Sequence, residues 1–200
     1  MHQILDNRNS DVLRSSQIMI MDVADFFIAT ANEGNPEEDD GMTNMKLNKL
    51  MFFAQAASLQ RFGRPLFDAP IEAWEYGPVV RDVYRTFKGY GRDSISKVAS
   101  PFDWTKMDSE TLELLCDVYR AYTRDYSAIG LMRMTHQPDS PWSNAYEKGR
   151  DNIIPCEDIK AWVEKRPLSI NEPALPAGRI QMAETTSTGV PMLPEGWEDD

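Results

Sequence analysis

The sequence predicts an α+β protein, mainly α-helical with a small β element, in which a single compact helical domain is followed by a flexible C-terminal tail. Apolar residues recur at helical spacing in several separate stretches. Between two of these stretches, residues 71–76 are apolar and aromatic but too few to form a helix. After Pro167 the helical periodicity disappears, while proline and acidic residues become frequent.

These changes in composition divide the chain into three parts. Residues 1–18 are a polar N-terminal segment with little periodicity, and residues 19–166 form the helical domain. Residues 167–200 are a Pro-rich acidic tail, which we expect to be flexible because it has too few apolar residues at regular spacing to form a core.

Two helices are predicted at the start of the domain. The first has apolar residues at helical spacing, namely Ile20, Val23, Ala24, Phe27 and Ala31. The second is a central helix that Thr43 can cap and that Gly63 ends, with Pro65 preventing its return. Its predicted buried face consists of Leu47, Leu50, Met51, Ala54 and Ala57.

A strand is predicted at residues 71–76, followed by a turn at Gly77 and Pro78. Alternation places Trp74 and Tyr76 on the same side of this strand, and we expect that aromatic side to face the core. Proline suits the first position of a helix, so a third helix should follow the turn. Its predicted buried face is Val79, Val80, Val83, Tyr84 and Phe87.

The second half of the domain contains shorter elements. A short strand is expected at residues 95–98, and Asp108 can cap the next helix. The apolar stripe of that helix is Leu112, Leu115, Cys116, Tyr119 and Tyr122. Ser127 can start another helix, and Trp142 is expected to lie in a short helical turn, packed in the core. An extended segment at residues 151–154 should precede a final helix opened by Pro155.

Three stretches carry a family resemblance: KLNKLMFFAQ, RPLFDAPIEAWEYGPVVRDVYRTFKGYG and LMRMTHQPDSPW. They resemble the Panacea domain, also called the SocA-like antitoxin or phage-associated domain, over roughly residues 19–164. The resemblance implies the neutralising half of a toxin–antitoxin pair, with a cognate protein toxin as partner. We interpret the family-motif residues as mostly structural; they are Leu47, Lys49, Leu50, Trp74, Tyr76, Gly77, Pro78, Val79, Tyr84, Thr135, His136, Pro141 and Trp142.

Charge and composition argue against several classes of protein. The net charge of −11 opposes general nucleic-acid binding, which requires phosphate neutralisation. Residues 43–97 are basic by comparison, with nine Lys or Arg against five Asp or Glu. These charges either pair across the fold or leave an acidic outer surface that steers a basic partner. No apolar run is long enough to span a bilayer, and the first residues lack a signal-peptide pattern. We therefore expect a cytoplasmic protein.

No catalytic set is recognisable in the sequence. The chain has two histidines, His2 and His136, and we interpret His136 as a structural hydrogen-bonding residue. Cys116 and Cys156 are interpreted as reduced, buried thiols. Zinc-ligand spacing and phosphate-binding glycine loops are both missing. We therefore predict that the protein is not an enzyme and uses no cofactor or metal.

Several alternatives stay open. An antitoxin could mask its toxin or deliver it to a protease, and the oligomeric state is not determined. A second hypothesis is a DNA-binding regulator of its own operon, whose basic helix at residues 44–63 would carry Lys46 and Lys49. A third is an uncharacterised hydrolase that uses carboxylates. The candidate partner-binding residues are Glu37, Glu38, Asp39 and Asp40 in an acidic loop, and Met192, Leu193 and Trp197 in the tail.

Overall fold

A computed structural model describes residues 19–33, 41–99, 107–124 and 126–170. All of these belong to one compact unit that ends at Ile170. The described residues form seven α-helices and a small antiparallel sheet, so the predicted α+β class is confirmed. The helices are α1 Ile20–Glu33, α2 Asn44–Phe62, α3 Arg81–Phe87, α4 Ser109–Thr123, α5 Ala128–Thr135, α6 Pro141–Ala145 and α7 Cys156–Lys165. The strands are β1 Ile71–Trp74, β2 Gly77–Val80 and β3 Asn152–Ile154.

Helix α2 is the centre of the domain. It is capped as predicted: the Thr43 side chain accepts a hydrogen bond from the Lys46 backbone N–H, and Gly63 ends the helix in the left-handed conformation. The predicted apolar face is fully buried. The opposite faces are buried as well, because α1, α4, α5, α7 and the sheet pack around the helix. A helix surrounded in this way has to satisfy its polar side chains inside the protein.

The sheet is built around the β1–β2 hairpin. Its strand order is β2-β1-β3, and both pairs are antiparallel. The prediction of a turn at Gly77 and Pro78 with a helix directly after it was wrong. These two residues belong to β2, where they pair with Trp74 and Ala73 of β1. A proline is tolerated there since β2 is an edge strand. The hairpin turn is instead at Glu75 and Tyr76.

The two faces of the sheet have different surroundings. Ile71 and Ala73 of β1 are fully buried and belong to the main apolar core, together with Val80 and Ile154 from the neighbouring strands. The alternate residues of the sheet point the other way. The prediction that the Trp74 side of the strand faces the core was therefore wrong.

The helices of the second half begin where they were predicted to begin. Asp108 and Ser127 cap α4 and α5 through their side chains. The buried stripe of α4 differs from the prediction, since Leu114 and Val118 are buried while Cys116 is half-buried. The reason is that α4 packs against both α1 and α2.

The strand predicted at residues 95–98 is not present. Ile95 is nevertheless buried, and its backbone N–H donates to the Met42 carbonyl at 2.8 Å. This contact ties the segment to the start of α2. At the other end of the described chain, Leu168 and Ile170 pack against the domain, so the ordered part extends beyond the predicted boundary at residue 166.

Candidate functional site

Polar side chains on the first half of α2 hold the hairpin and the helix that follows it. Lys49 Nζ donates to the Pro78 carbonyl at 3.0 Å, and Asn48 Oδ1 accepts from the Val80 backbone N–H at 2.9 Å. Both contacts are with β2, so this edge strand is fastened to α2 by two side chains. Asn44 Nδ2 donates to the Tyr84 carbonyl at 3.0 Å and fixes α3 in the same way.

The second half of α2 binds loops by the same means. Gln55 accepts hydrogen bonds from the backbone N–H groups of Leu66 and Phe67 and donates to the Phe67 carbonyl. Gln60 donates to the carbonyl of Leu168 and accepts from its N–H. Of these polar residues on α2, sequence reasoning identified Lys49 as a motif residue and missed Asn44, Asn48, Gln55 and Gln60. The signal that could have found them is the presence of Phe52, Phe53 and Ala56 outside the predicted stripe, which indicates a helix buried on every side.

Lys49 is the least expected buried side chain, with 1% of its surface exposed. Loss of solvation lowers its pKa from 10.5 to about 7. Gly77 lies directly against it: a Cβ at Gly77 would come within 2.6 Å of Lys49 Cε and 2.9 Å of Thr135 Oγ1. Gly77 also has a φ of +103°, which residues with a side chain rarely adopt. The hairpin can therefore approach Lys49 only because residue 77 is glycine.

The segment around His136 holds the hairpin from its other end. His136 Nε2 lies 3.2 Å from the Glu75 carbonyl, and Nδ1 lies 2.7 Å from the Met132 carbonyl. Trp142 Nε1 donates to the Trp74 carbonyl at 2.8 Å, and its ring centroid lies 3.5 Å from that of His136. These contacts agree with the prediction that His136 is a structural hydrogen-bonding residue.

We call this arrangement the hairpin clamp, formed by Asn48, Lys49, His136 and Trp142 around the backbone of residues 74–80. It brings together motif residues from all three resembling stretches, although Lys49 and Trp142 are 93 positions apart in the chain. Other motif residues support it from nearby. Leu47, Leu50 and Pro141 are buried, and Ser140 caps α6 while donating to the Thr135 carbonyl.

The hairpin and the neighbouring α3 and β3 also carry large side chains that are exposed or half-buried. We define the outer face as Trp74, Tyr76, Arg81, Tyr84 and Ile153. Tyr76 is 64% exposed and Tyr84 is 37% exposed, and Trp74 is half-buried. The expectation that these three aromatic residues are core residues was therefore wrong. Trp142, in contrast, is buried as predicted, with 8% of its surface exposed.

Arg81 organises the polar part of the outer face. Its guanidinium makes two hydrogen bonds to Glu72, at 2.9 and 2.6 Å, and a third to Asp151 at 2.9 Å. These hydrogen bonds raise the pKa of Arg81. The same guanidinium lies 5.4 Å from the Trp74 ring centroid, and the Tyr84 ring packs against Trp74 edge-on at 4.9 Å. Trp74 thus contacts both a cation and a second aromatic ring.

The side chains described above either stabilise the fold or form part of the protein surface. Within the described ranges, no three His, Cys, Asp or Glu residues are grouped so that they could hold a metal ion. Cys116 and Cys156 are free and half-buried, and burial raises the pKa of the Cys116 thiol, which disfavours the reactive thiolate. Of the helices that the structure describes, none is both long and apolar enough to cross a bilayer.

The basic helix proposed for DNA binding does not present its charges to solvent. Lys46 and Lys49 are each 1% exposed. A groove-binding helix needs such side chains free to reach phosphates, so the structure removes the feature on which that alternative was based.

The candidate partner-binding residues predicted from the sequence lie outside the described residues. These are Glu37, Glu38, Asp39, Asp40, Met192, Leu193 and Trp197. Their role stays a prediction.

Comparison with known proteins agrees with the resemblance seen in the sequence. Residues 47–143 match the family described as Antitoxin SocA-like, Panacea domain. A stretch of 53 residues, 26% of this chain, is 43% identical to a protein named Antitoxin SocA from Caulobacter vibrioides (strain NA1000 / CB15N). That stretch spans 28% of the relative's length. No solved structure matches the chain.

Proposed function

We propose that this protein, whose residues 47–143 match the SocA-like Panacea domain, is an antitoxin that neutralises a cognate protein toxin by binding it directly. The observation that carries the proposal is the family match together with the position of its motif residues. In the hairpin clamp, Lys49, His136 and Trp142 bind backbone carbonyl groups of the protein itself. Their polar groups stabilise the fold by bonding to the backbone. This role is consistent with a binding protein.

Binding implies stoichiometry. A protein that masks its target must be present in at least equal amount, whereas an enzyme or an adaptor that delivers the toxin to a protease can act repeatedly. Delivery to a protease is therefore the alternative outcome of the same experiment. The net charge of −11 favours a basic partner, because opposite charges speed the encounter of two proteins.

The test is to co-express this protein with the product of the adjacent open reading frame and to measure growth and complex formation together. We expect growth to recover when the two proteins reach equal amounts, and a 1:1 or other fixed-ratio complex to be isolated. Rescue at antitoxin levels far below those of the toxin would instead indicate delivery or catalysis. If the adjacent product is toxic and is neither bound nor neutralised, the proposed function is wrong.

The acidic loop and the tail form a separate part of the proposal. We propose that Glu37, Glu38, Asp39 and Asp40 add to the interface, as does the apolar cluster at Met192, Leu193 and Trp197. The test compares the full chain with a form ending at Ile170, the last residue packed on the domain, and with a form in which the four acidic residues are changed to Ser. Weaker binding by either form supports the corresponding segment, and unchanged binding by both places the interface elsewhere.

A further inference from the structure

We propose that the outer face, formed by Trp74, Tyr76, Arg81, Tyr84 and Ile153, is the surface on which the toxin docks. The inference rests on the antitoxin function proposed above and assigns it a place on the domain. The occupant is a protein surface that offers an apolar side chain next to a lysine or arginine. Exposure, rigidity and charge each support this assignment.

Exposure on the outer face is concentrated in the residue types that dominate binding energy. Tyr76 and Ile153 are 64% and 60% exposed, and Tyr84 is 37% exposed. A single exposed apolar residue is ordinary on any protein. Here two exposed tyrosines, a half-buried tryptophan and an arginine come from the β1–β2 hairpin and from α3, which follows it directly. Trp, Tyr and Arg are enriched at the centres of protein–protein interfaces.

The strand pairing of the sheet explains why Ile153 belongs to this group. In the antiparallel register Glu72 lies opposite Ile153 on β3 and opposite Val79 on β2. Residues opposite each other point to the same face, as does Trp74, two positions after Glu72. Ile154, the next residue, points inward and is buried.

The outer face is held in place before any partner binds. Trp74 packs against Tyr84 and Arg81, and its carbonyl is bonded to Trp142 on the clamp side. Binding to side chains that are already ordered costs less conformational entropy than binding to a mobile loop. The clamp therefore does more than stabilise the fold: it fixes the position of the residues that would contact the toxin.

The charges around the outer face select the chemistry of the partner. Arg81 is shared by two carboxylates, Glu72 and Asp151, which leaves this group with one negative charge in excess. Glu75, exposed in the hairpin turn, adds another. On α3, the exposed Asp82 and Arg85 balance each other. A partner with a lysine or arginine beside its apolar contact would neutralise the excess.

The apolar part of the outer face is small, as expected for the centre of an interface. A specific interface covers about 800 Å² on each partner, more than three exposed aromatic and aliphatic side chains provide. The rest of the footprint would fall on the polar surface around it, which is the usual arrangement of an apolar centre and a polar rim.

The test uses the full chain and the toxic product of the adjacent open reading frame. The outer-face variant is Tyr76→Ala with Ile153→Ser. The matched control is Tyr126→Ala with Ile129→Ser, which removes the same two residue types at exposed positions, 39% and 54%, at the start of α5. We expect the outer-face variant to bind at least about tenfold more weakly and to lose growth rescue, while the control binds like the parent.

A charge reversal provides a second, independent variant. Glu75→Lys changes one exposed side chain in the turn and should weaken binding more at low salt than at high salt. Thermal melting of each variant shows whether it folds. If the parent binds the toxin and the folded outer-face and Glu75→Lys variants bind equally well, the inference is wrong while the proposed function stands. The inference is also wrong if the α5 control loses as much binding. If the parent itself does not bind, both the inference and the proposed function are wrong.

Discussion

Neighbouring motif residues of the β1–β2 hairpin differ sharply in how closely they are packed. On the inner side Gly77 packs against Lys49 and Thr135 with no room for even a methyl group. Tyr76, the residue before it, lies in the hairpin turn and is largely exposed. The same stretch of sequence thus supplies both a tightly packed glycine and a largely exposed aromatic residue.

The comparison shows that a family motif does not divide simply into structural and binding residues. Lys49 and Trp142 hold the hairpin from inside, and their effect on a partner would be indirect. Trp74 and Tyr84 lie on the outside, in positions where a partner can reach them. The following predictions separate the two sides by stability and by binding, beginning with the largest expected effect.

The two tryptophans of the hairpin should differ in their contribution to stability. Trp142→Ala removes a buried ring and the hydrogen bond to the Trp74 carbonyl, so we expect a loss of about 3–5 kcal/mol in the free energy of unfolding. Trp74→Ala removes a half-buried ring and should cost less, about 1–2 kcal/mol. Urea denaturation followed by circular dichroism measures both. Equal losses would mean that the two faces of the hairpin are equally buried in solution.

Lys49 should make stability depend on pH in the alkaline range. Its pKa is lowered from 10.5 to about 7 in the folded protein, so between these values the unfolded chain binds more protons than the folded one. The free energy of unfolding should therefore rise with pH from about 7 to 10.5, by up to about 5 kcal/mol from this residue. Below pH 7 the cost of burying the charge is fully present.

The variant Lys49→Met provides the control for that measurement. It removes the titrating group and leaves every other ionisable residue in the chain, so that the contributions of those residues are common to both proteins. The difference in the free energy of unfolding between parent and variant should change over pH 7–10.5. A difference that stays constant across this range would show that Lys49 is charged and solvated in the folded protein.

Gly77 in the hairpin and Gly89 after α3 form a matched pair of glycines, one tightly packed and one open. Gly77→Ala forces a side chain into a positive φ and against Lys49, and we expect a loss of about 1–3 kcal/mol in stability. At Gly89 an added Cβ would meet nothing within 4 Å, so Gly89→Ala should change stability by less than about 0.5 kcal/mol. Thermal denaturation of the two variants checks this, and equal melting temperatures would contradict the close approach at Gly77.

The smallest stability effect is expected on the outer face itself. Tyr76→Ala and Ile153→Ser remove exposed side chains, and each should change the free energy of unfolding by no more than about 0.5 kcal/mol. The same two changes together are expected to weaken toxin binding. A large loss of stability from either one would mean that the outer face is packed against another part of the protein in solution.

Local patterns predicted the helices well because helix ends depend on local chemistry. Thr43, Asp108 and Ser127 were identified as caps from their positions before apolar stripes, and each accepts a hydrogen bond from a backbone N–H three residues later. The hairpin was predicted less well. Gly77 and Pro78 are typical turn residues, but in this fold they form part of an edge strand. At this edge neither the missing side chain of Gly77 nor the missing N–H of Pro78 is unfavourable.

The candidate site was predictable in its residues but not in its arrangement. The family words identified Lys49, Trp74, His136 and Trp142, which are widely separated in the chain. Their contacts run from side chains to distant backbone carbonyl groups. Sequence periodicity cannot predict such a contact, because every residue has a backbone carbonyl and any of them could be the acceptor.

By itself, the sequence determined the α+β class, the caps, most helix positions and the family to which residues 47–143 are similar. Only the tertiary structure decided which side of each element is buried. A strand with period two has two possible inner faces, and the helix that packs on it selects one. Here α2 packs against β2, and Ile71 and Ala73 of β1 are buried in the main apolar core, so Trp74 is on the other face. Because α2 is also surrounded on every side, Lys49 is shielded from solvent and bonds to the hairpin backbone instead.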